Sequence, residues 1–317
     1  MLGGKLSSAE KATLEEAVTN NPSDVEARTK LLGFYFTQGR QDPEVTSAKT
    51  RHIEWLIEHA PESEVLGLPY SQLNLVLEPA GYAQCKQAWL TALQKSPENL
   101  AAIANAAQFF LLHDRKLAEE LLLKGQELDA ANPKWPASLG QLYSLGQMSL
   151  ATEPQLTVAA KKAFHQYQLA YDRSDPLQRD GLLSNLAKTA LDAGLIDDAT
   201  KFAETMLQDD AAGWNRGNRI HHGNLILGRI ALSQGDVAEA KSRLLLAGKT
   251  PGSPQLNSFG PNMLLAKELL ERGESDVVLE YFALCQAFWT MPGRPLEQWT
   301  KDVKAGRIPQ FGGNLSY

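Results

Sequence analysis

The residues best suited to chemistry cluster in the C-terminal half. The run Trp214-Asn215-Arg216-Gly217-Asn218-Arg219 sets arginines and asparagines beside an indole. A guanidinium fork matches a carboxylate in two-point geometry, and an indole offers a flat apolar platform. Trp214, Asn218 and Arg219 therefore suit a peptide carboxylate or a planar ligand. The alternative is a connector whose asparagines cap the helix that follows. His221 and His222 come next. Neighbours on a helix point about 100° apart, so these two cannot share one ion as an i, i+4 pair can. His52 and His59 have Trp55 and Leu56 between them, and no metal site is expected from either pair. His222 is the histidine suited to a proton or ligand role.

A second candidate is Thr250-Pro251-Gly252-Ser253-Pro254-Gln255-Leu256-Asn257-Ser258-Phe259-Gly260-Pro261-Asn262, a loop rich in turn residues. Ordered non-helical stretches of about a dozen residues between helices either serve binding or act as spacers. Asn262 is its candidate ligand contact, and Pro261 suits the first turn of the next helix. Nucleophilic catalysis has no signature: Gly-x-Ser-x-Gly, Gly-x-Gly-x-x-Gly and the P-loop are all missing from the text. Asp197-Asp198 and Asp209-Asp210 sit at helix ends. Solvated there, they lack the desolvation that raises a catalytic carboxyl. No cofactor is expected.

The bulk properties narrow the classes further. Of 317 residues, 31 are Lys or Arg and 37 are Asp or Glu, a formal charge of -6, with 43% apolar and 21% charged residues. This excludes a disordered polyelectrolyte and a generally basic nucleic-acid binder. Cys85 and Cys285 are too few and too far apart for a disulfide framework or a zinc module, and read as buried thiols. No run reaches the ~18 apolar residues of a membrane span. Met1-Leu2-Gly3-Gly4-Lys5 lacks the regions of a secretory signal. A cytoplasmic location is the expectation, although removal of a leader leaves the same text.

The elements that position these residues repeat along the chain. Between Asn99 and Asp129 one amphipathic helix runs to about Leu112 and a second starts near Lys116, with small residues at Ala106, Ala118 and Gly125 and Phe109 between the first two. Paired helices pack closely only where such positions leave room for a neighbour's ridge. The frame recurs as Leu139-Gly140-x-x-Tyr143 with Ala163, Tyr167 and Ala170. It returns as Leu186, Ala187 and Ala190 with Gly194 and Ala199, then as Leu227, Gly228 and Ala231 with Gly235, Ala240 and Ala247. A last copy is Leu265, Ala266 and Leu269 with Gly273, Phe282 and Cys285. Leu31, Tyr35 and Trp55 open a looser pair, and Cys85, Trp89 and Ala92 close another. Pro22, Pro61, Pro97, Pro133 and Pro176 punctuate the ends.

On these residues the chain resembles tetratricopeptide-repeat (TPR) proteins over roughly residues 8–290. Its C-terminal third is similar to a group of uncharacterised bacterial TPR-like proteins. The matching text there is Ile220-His221-His222-Gly223-Asn224, Thr250 to Met263 and Gly306 to Tyr317, and Arg51-His52-Ile53-Glu54-Trp55-Leu56-Ile57 matches further upstream. The resemblance implies an all-α fold: a right-handed superhelical solenoid of about seven antiparallel helix pairs over residues 1–293. A C-terminal capping helix near Leu296–Lys304 and an extended tail with Trp299, Phe311 and Tyr317 would complete residues 294–317. It also implies that Lys188, Arg229 and Lys267 occupy one equivalent position in successive first helices, with His222 beside them, on the concave face. That ladder resembles the carboxylate clamp of chaperone-binding TPR domains, although the clamp's own asparagine and lysine pattern is not matched. The expected function is non-catalytic binding of an anionic or peptide partner; a homo-oligomer stays open as the partner, and no nucleic acid or membrane is expected. The alternative is an enzyme or small-ligand protein with a pocket around His222 and Arg229.

Overall fold

The computed structural model describes residues 3–38, 42–146, 152–208, 213–291 and 293–315. Asp209-Asp210 and Tyr317 lie outside the described residues. Among the described residues the chain is all-α, with no strand. It forms two compact units, Met1–Leu142 and Tyr143–Tyr317.

The first unit holds α1 (Ser8–Asn20), α2 (Val25–Gln38), α3 (Pro43–His59), α4 (Pro79–Lys95), α5 (Leu100–Phe110), α6 (Arg115–Leu128) and most of α7 (Lys134–Gly146). Side-chain caps start several of them. Ser7 and Glu10 form a reciprocal box at α1, and Asn99 accepts from the Ala102 amide at 3.0 Å. The α5–α6 hairpin follows the sequence frame, with Ala106 and Ala118 fully buried and Phe109 and Gly125 buried beside them. Ahead of α4 the frame breaks. Two single 3-10 turns, Glu64–Gly67 and Pro69–Ser71, stand where a regular pair places a full helix. Pro61, Gly67 and Pro69 interrupt any longer helical run there.

The second unit holds α8 (Glu153–Arg173), α9 (Pro176–Asp192), α10 (Ile196–Gln208), α11 (Arg216–Ser233), α12 (Val237–Gly248), α13 (Pro254–Phe259), α14 (Leu264–Leu270), α15 (Ser275–Cys285) and α16 (Leu296–Lys304). Three hairpins, α9–α10, α11–α12 and α14–α15, turn in the same way. Gly194, Gly235 and Gly273 each take a positive φ of 76°, 86° and 83°. In each, the amide after the glycine reaches back to the carbonyl five residues earlier: Leu195 to Ala190, Asp236 to Ala231 and Glu274 to Leu269. This is the Schellman ending, which favours glycine because a side chain strains the left-handed backbone. Ala187, Ala199, Ala240, Ala247 and Ala266 are fully buried where helices cross. Gly228 marks another close crossing, since a Cβ there would stand 2.4 Å from Leu265 Cδ2.

Two details differ from the sequence expectation. The loop 250–262 is not wholly irregular, because Pro254 at the first turn and Ser253 as cap nucleate α13 within it. Pro261 precedes α14 without entering it. At the C-terminus, α16 has the expected bounds and buries Leu296, Trp299 and Val303. Trp299 packs against Phe282, Trp289 and Phe311 at centroid distances of 6.0, 5.8 and 5.0 Å. Both thiols are fully buried, and desolvation pushes both above the usual range, so they act as small apolar side chains. Among the described residues no helix is long and apolar enough to cross a membrane.

Candidate functional site

Lys188, Arg229 and Lys267 each lie six residues before the glycine of their hairpin turn. Residues two before those glycines are Asp192, Ser233 and Glu271. In the outer two hairpins the cation therefore meets an acid one helical turn ahead. Lys188 Nζ lies 3.7 Å from Asp192 and Lys267 Nζ 2.7 Å from Glu271. The middle hairpin has serine at that place, and Arg229 reaches sideways instead. Its Nη1 lies 3.7 Å from Asp192 on α9, and its Nε donates to Glu268 on α14 at 3.0 Å. Three cations thus face three carboxylates, and the strip is balanced rather than basic.

These helix ends frame an open cleft of about 610 Å³. Leu156, Leu191 and Leu232 supply apolar lining, and Arg229, Asp192 and Glu268 supply charge. Arg272 is exposed at the same cleft, and among the described residues it makes no ion pair. The lining combines apolar contact with side chains that donate and accept, as a peptide requires.

The polar loop is built inward. Asp180 on α9 takes Arg219 Nη1 at 3.2 Å and Asn215 Nδ2 at 2.9 Å. Asn218 donates to Asn215 at 3.0 Å and to Gln255 at 2.7 Å, and accepts from the Ser253 hydroxyl at 2.6 Å. The Thr250 hydroxyl donates to the Gly217 carbonyl at 2.8 Å. Arg219 and Asn218 are buried, so this network fixes α13 to α11 and α9. The asparagines join helices here and do not cap α11. Trp214, by contrast, is 60% exposed.

The two adjacent histidines have separate duties. His221 is fully buried between backbone groups. Its Nδ1 lies 3.2 Å from the Ala247 carbonyl, and the Asn262 amide donates to its Nε2 at 3.1 Å. A carbonyl only accepts and an amide only donates, so the ring is neutral with its proton on Nδ1. Desolvation first, then the neighbouring His222, lowers its pKa to about 3. Asn262 is buried with it and takes the Tyr281 hydroxyl on its carbonyl at 3.0 Å. Asn314 of the tail anchors the same stretch, donating to the Phe259 and Pro261 carbonyls at 3.0 and 2.9 Å. His222 is half-buried, and desolvation with the Lys188 charge lowers it to about 4.

The eight sequence candidates therefore fall into three groups: Lys188, Arg229 and Lys267 at the paired strip, Asn218, Arg219 and Asn262 in internal networks, and Trp214 and His222 at the margins. The partners Asp180, Asp192 and Glu268 went unread. Asp192 was legible, standing four residues after Lys188 on a helix. Asp180 and Glu268 act across helices and carry no local signal. Compared with family models and with curated proteins, the chain matches none.

Proposed function

We propose that the chain is a non-catalytic, TPR-like repeat protein that binds an extended segment of a partner protein in the cleft of its second unit. Right-handed stacking of hairpins within each unit, about seven in all, is part of that reading. The observation that carries it is the cleft itself, where equivalent turns bring Leu191, Leu232, Arg229 and Glu268 to one open surface. The leucines offer contact to apolar side chains. The strip offers exchangeable polar partners, because half-exposed ion pairs are worth roughly 0–1 kcal/mol each and reopen readily. Arg229 then turns from Asp192 or Glu268 to an acidic group of the incoming segment. The geometry favours a segment of mixed apolar and acidic character over a uniformly acidic one, because the strip already holds its own carboxylates.

The test is selection from a random peptide library on the parent chain, followed by titration of the selected peptides. Ser233 is exposed at the cleft, so Ser233→Trp fills it without entering the core. Selected peptides should lose at least tenfold in affinity for this variant, with the helical content unchanged. Undiminished affinity, or no selection at all, contradicts the proposal.

A further inference from the structure

The first unit contains a buried polar cluster that lies outside the cleft and that residue spacing does not reveal. Arg28 on α2 donates from Nε and Nη2 to the Pro22 carbonyl, both at 3.0 Å. Its Nη1 lies 3.1 Å from His52 Nδ1 on α3, and its guanidinium stacks on Trp55 at 3.9 Å. A guanidinium can only donate, so His52 Nδ1 accepts and the ring proton sits on Nε2. That proton points at Glu15 Oε1 on α1, 3.1 Å away. The Tyr35 hydroxyl of α2 donates to the same oxygen. Tyr35 and His52 stack at 5.9 Å, which fixes both donors. Arg28, Tyr35 and His52 are all buried, whereas the Glu15 side chain is 27% exposed.

The arrangement separates a receptor from its occupant. Arg28, Tyr35 and His52 belong to the α2–α3 pair, and the carboxylate comes from α1. That helix is lightly held: Val18 is its one buried side chain, and Leu14 and Leu6 before it add partial burial. Without Glu15, the site would keep a buried cation and two converging donors, with Asp24 alone left to offset the charge. A buried charge is costly unless paired, so such a site selects an anion with a hydrogen-bonding oxygen. We propose that Tyr35 and His52, backed by Arg28, form a carboxylate-binding site that α1 plugs with Glu15 and that another carboxylate fills when α1 withdraws. The hydrogen bonds from His52 and Tyr35 hold Glu15 far below the usual carboxylate range, at about 2, as a receptor for the ionised form requires.

Glu15→Ala in the full chain removes a fragment the size of acetate, and acetate is the probe. Thermal unfolding is compared in sodium acetate and sodium chloride at equal ionic strength and pH 7. Acetate should raise the midpoint of the variant saturably, by about 3 °C or more, and leave the parent chain unmoved. Adding Tyr35→Phe, which removes one donor, should weaken the acetate effect at least threefold in concentration. Equal midpoints in the two salts, or a shift shared by the parent, overturns the proposal. If E15A does not fold in chloride, the readout is recovery of helical signal on refolding: recovery in acetate supports the site, and equal failure in both salts overturns it. A second arm uses the peptide of residues 8–20 and its own Glu15→Ala counterpart. Given the acetate shift, a further shift from the first peptide and not from its counterpart assigns a helix-borne carboxylate, and no peptide shift assigns a free acid.

Discussion

His52 in the first unit and His221 in the second are both buried, both neutral, and both bonded through each ring nitrogen. Their partners differ. His221 joins two backbone groups, the Ala247 carbonyl and the Asn262 amide. His52 joins two charged side chains, Arg28 and Glu15. A bond to backbone closes a connection that folding has already fixed, and the ring acts as a permanent staple between α11, α12 and the stretch before α14. A bond to a side chain on a lightly held helix can be exchanged. Burial therefore does not decide whether a histidine serves architecture or recognition; the attachment of its partner does.

That contrast can be broken most sharply at His221. His221→Ala removes two buried bonds and opens a cavity, and should cost about 3 kcal/mol or more in chemical denaturation. A loss under about 1 kcal/mol would mean that the staple is dispensable. Acid should separate the two units next. The folded pKa values of His221 and His222, about 3 and about 4, lie below the ordinary histidine value of about 6.5. Their contribution is whole above about pH 6.5 and is lost as pH falls toward those values. Glu15, held at about 2, contributes above the ordinary glutamate value of about 4.3 and loses that only as pH falls toward 2. Hydrogen exchange at pH 5 should therefore show α11–α14 losing protection while the Glu15 contribution to α1–α3 is intact. The opposite order would contradict the assignment of neutral rings to the second unit.

Smaller effects sharpen the same contrast. Glu15→Gln keeps an acceptor for Tyr35 and His52 but removes the charge, and should cost about 1–2 kcal/mol in thermal or denaturant unfolding. Arg229→Ala disrupts the half-exposed strip and should cost about 0.5–1 kcal/mol. Ser233→Asp gives Arg229 an acid one turn ahead, like its two neighbours, and should change stability by only about 0.3 kcal/mol. An Arg229 effect larger than that of Glu15→Gln would show that the strip is a structural clamp rather than an exchangeable surface.

Much of the helical plan is legible in the residues. Small side chains at Ala106, Ala118, Gly228 and Ala240, and glycines at 194, 235 and 273, report close crossings and tight turns through local sterics. The candidate site is less legible because its chemistry is relational. Equivalent positions place Lys188, Arg229 and Lys267 in line, but whether a cation is free depends on acids reached across helices, such as Glu268 and Asp180. The cluster of Glu15, Arg28, Tyr35 and His52 draws on three helices with a largest separation of 37 residues, and no periodicity announces it. The 3-10 turns before α4 fail the repeat frame for a local reason, since proline and glycine there outweigh the pattern.

The most direct measurement is methyl NMR of the leucines while a library-selected peptide is added. Leu156, Leu191 and Leu232 line the cleft; Leu31, Leu56 and Leu66 lie in the first unit. The proposed function predicts saturable shifts at the first three and none at the second three. Shifts confined to the first unit, or an unmoved cleft at saturation, would contradict it.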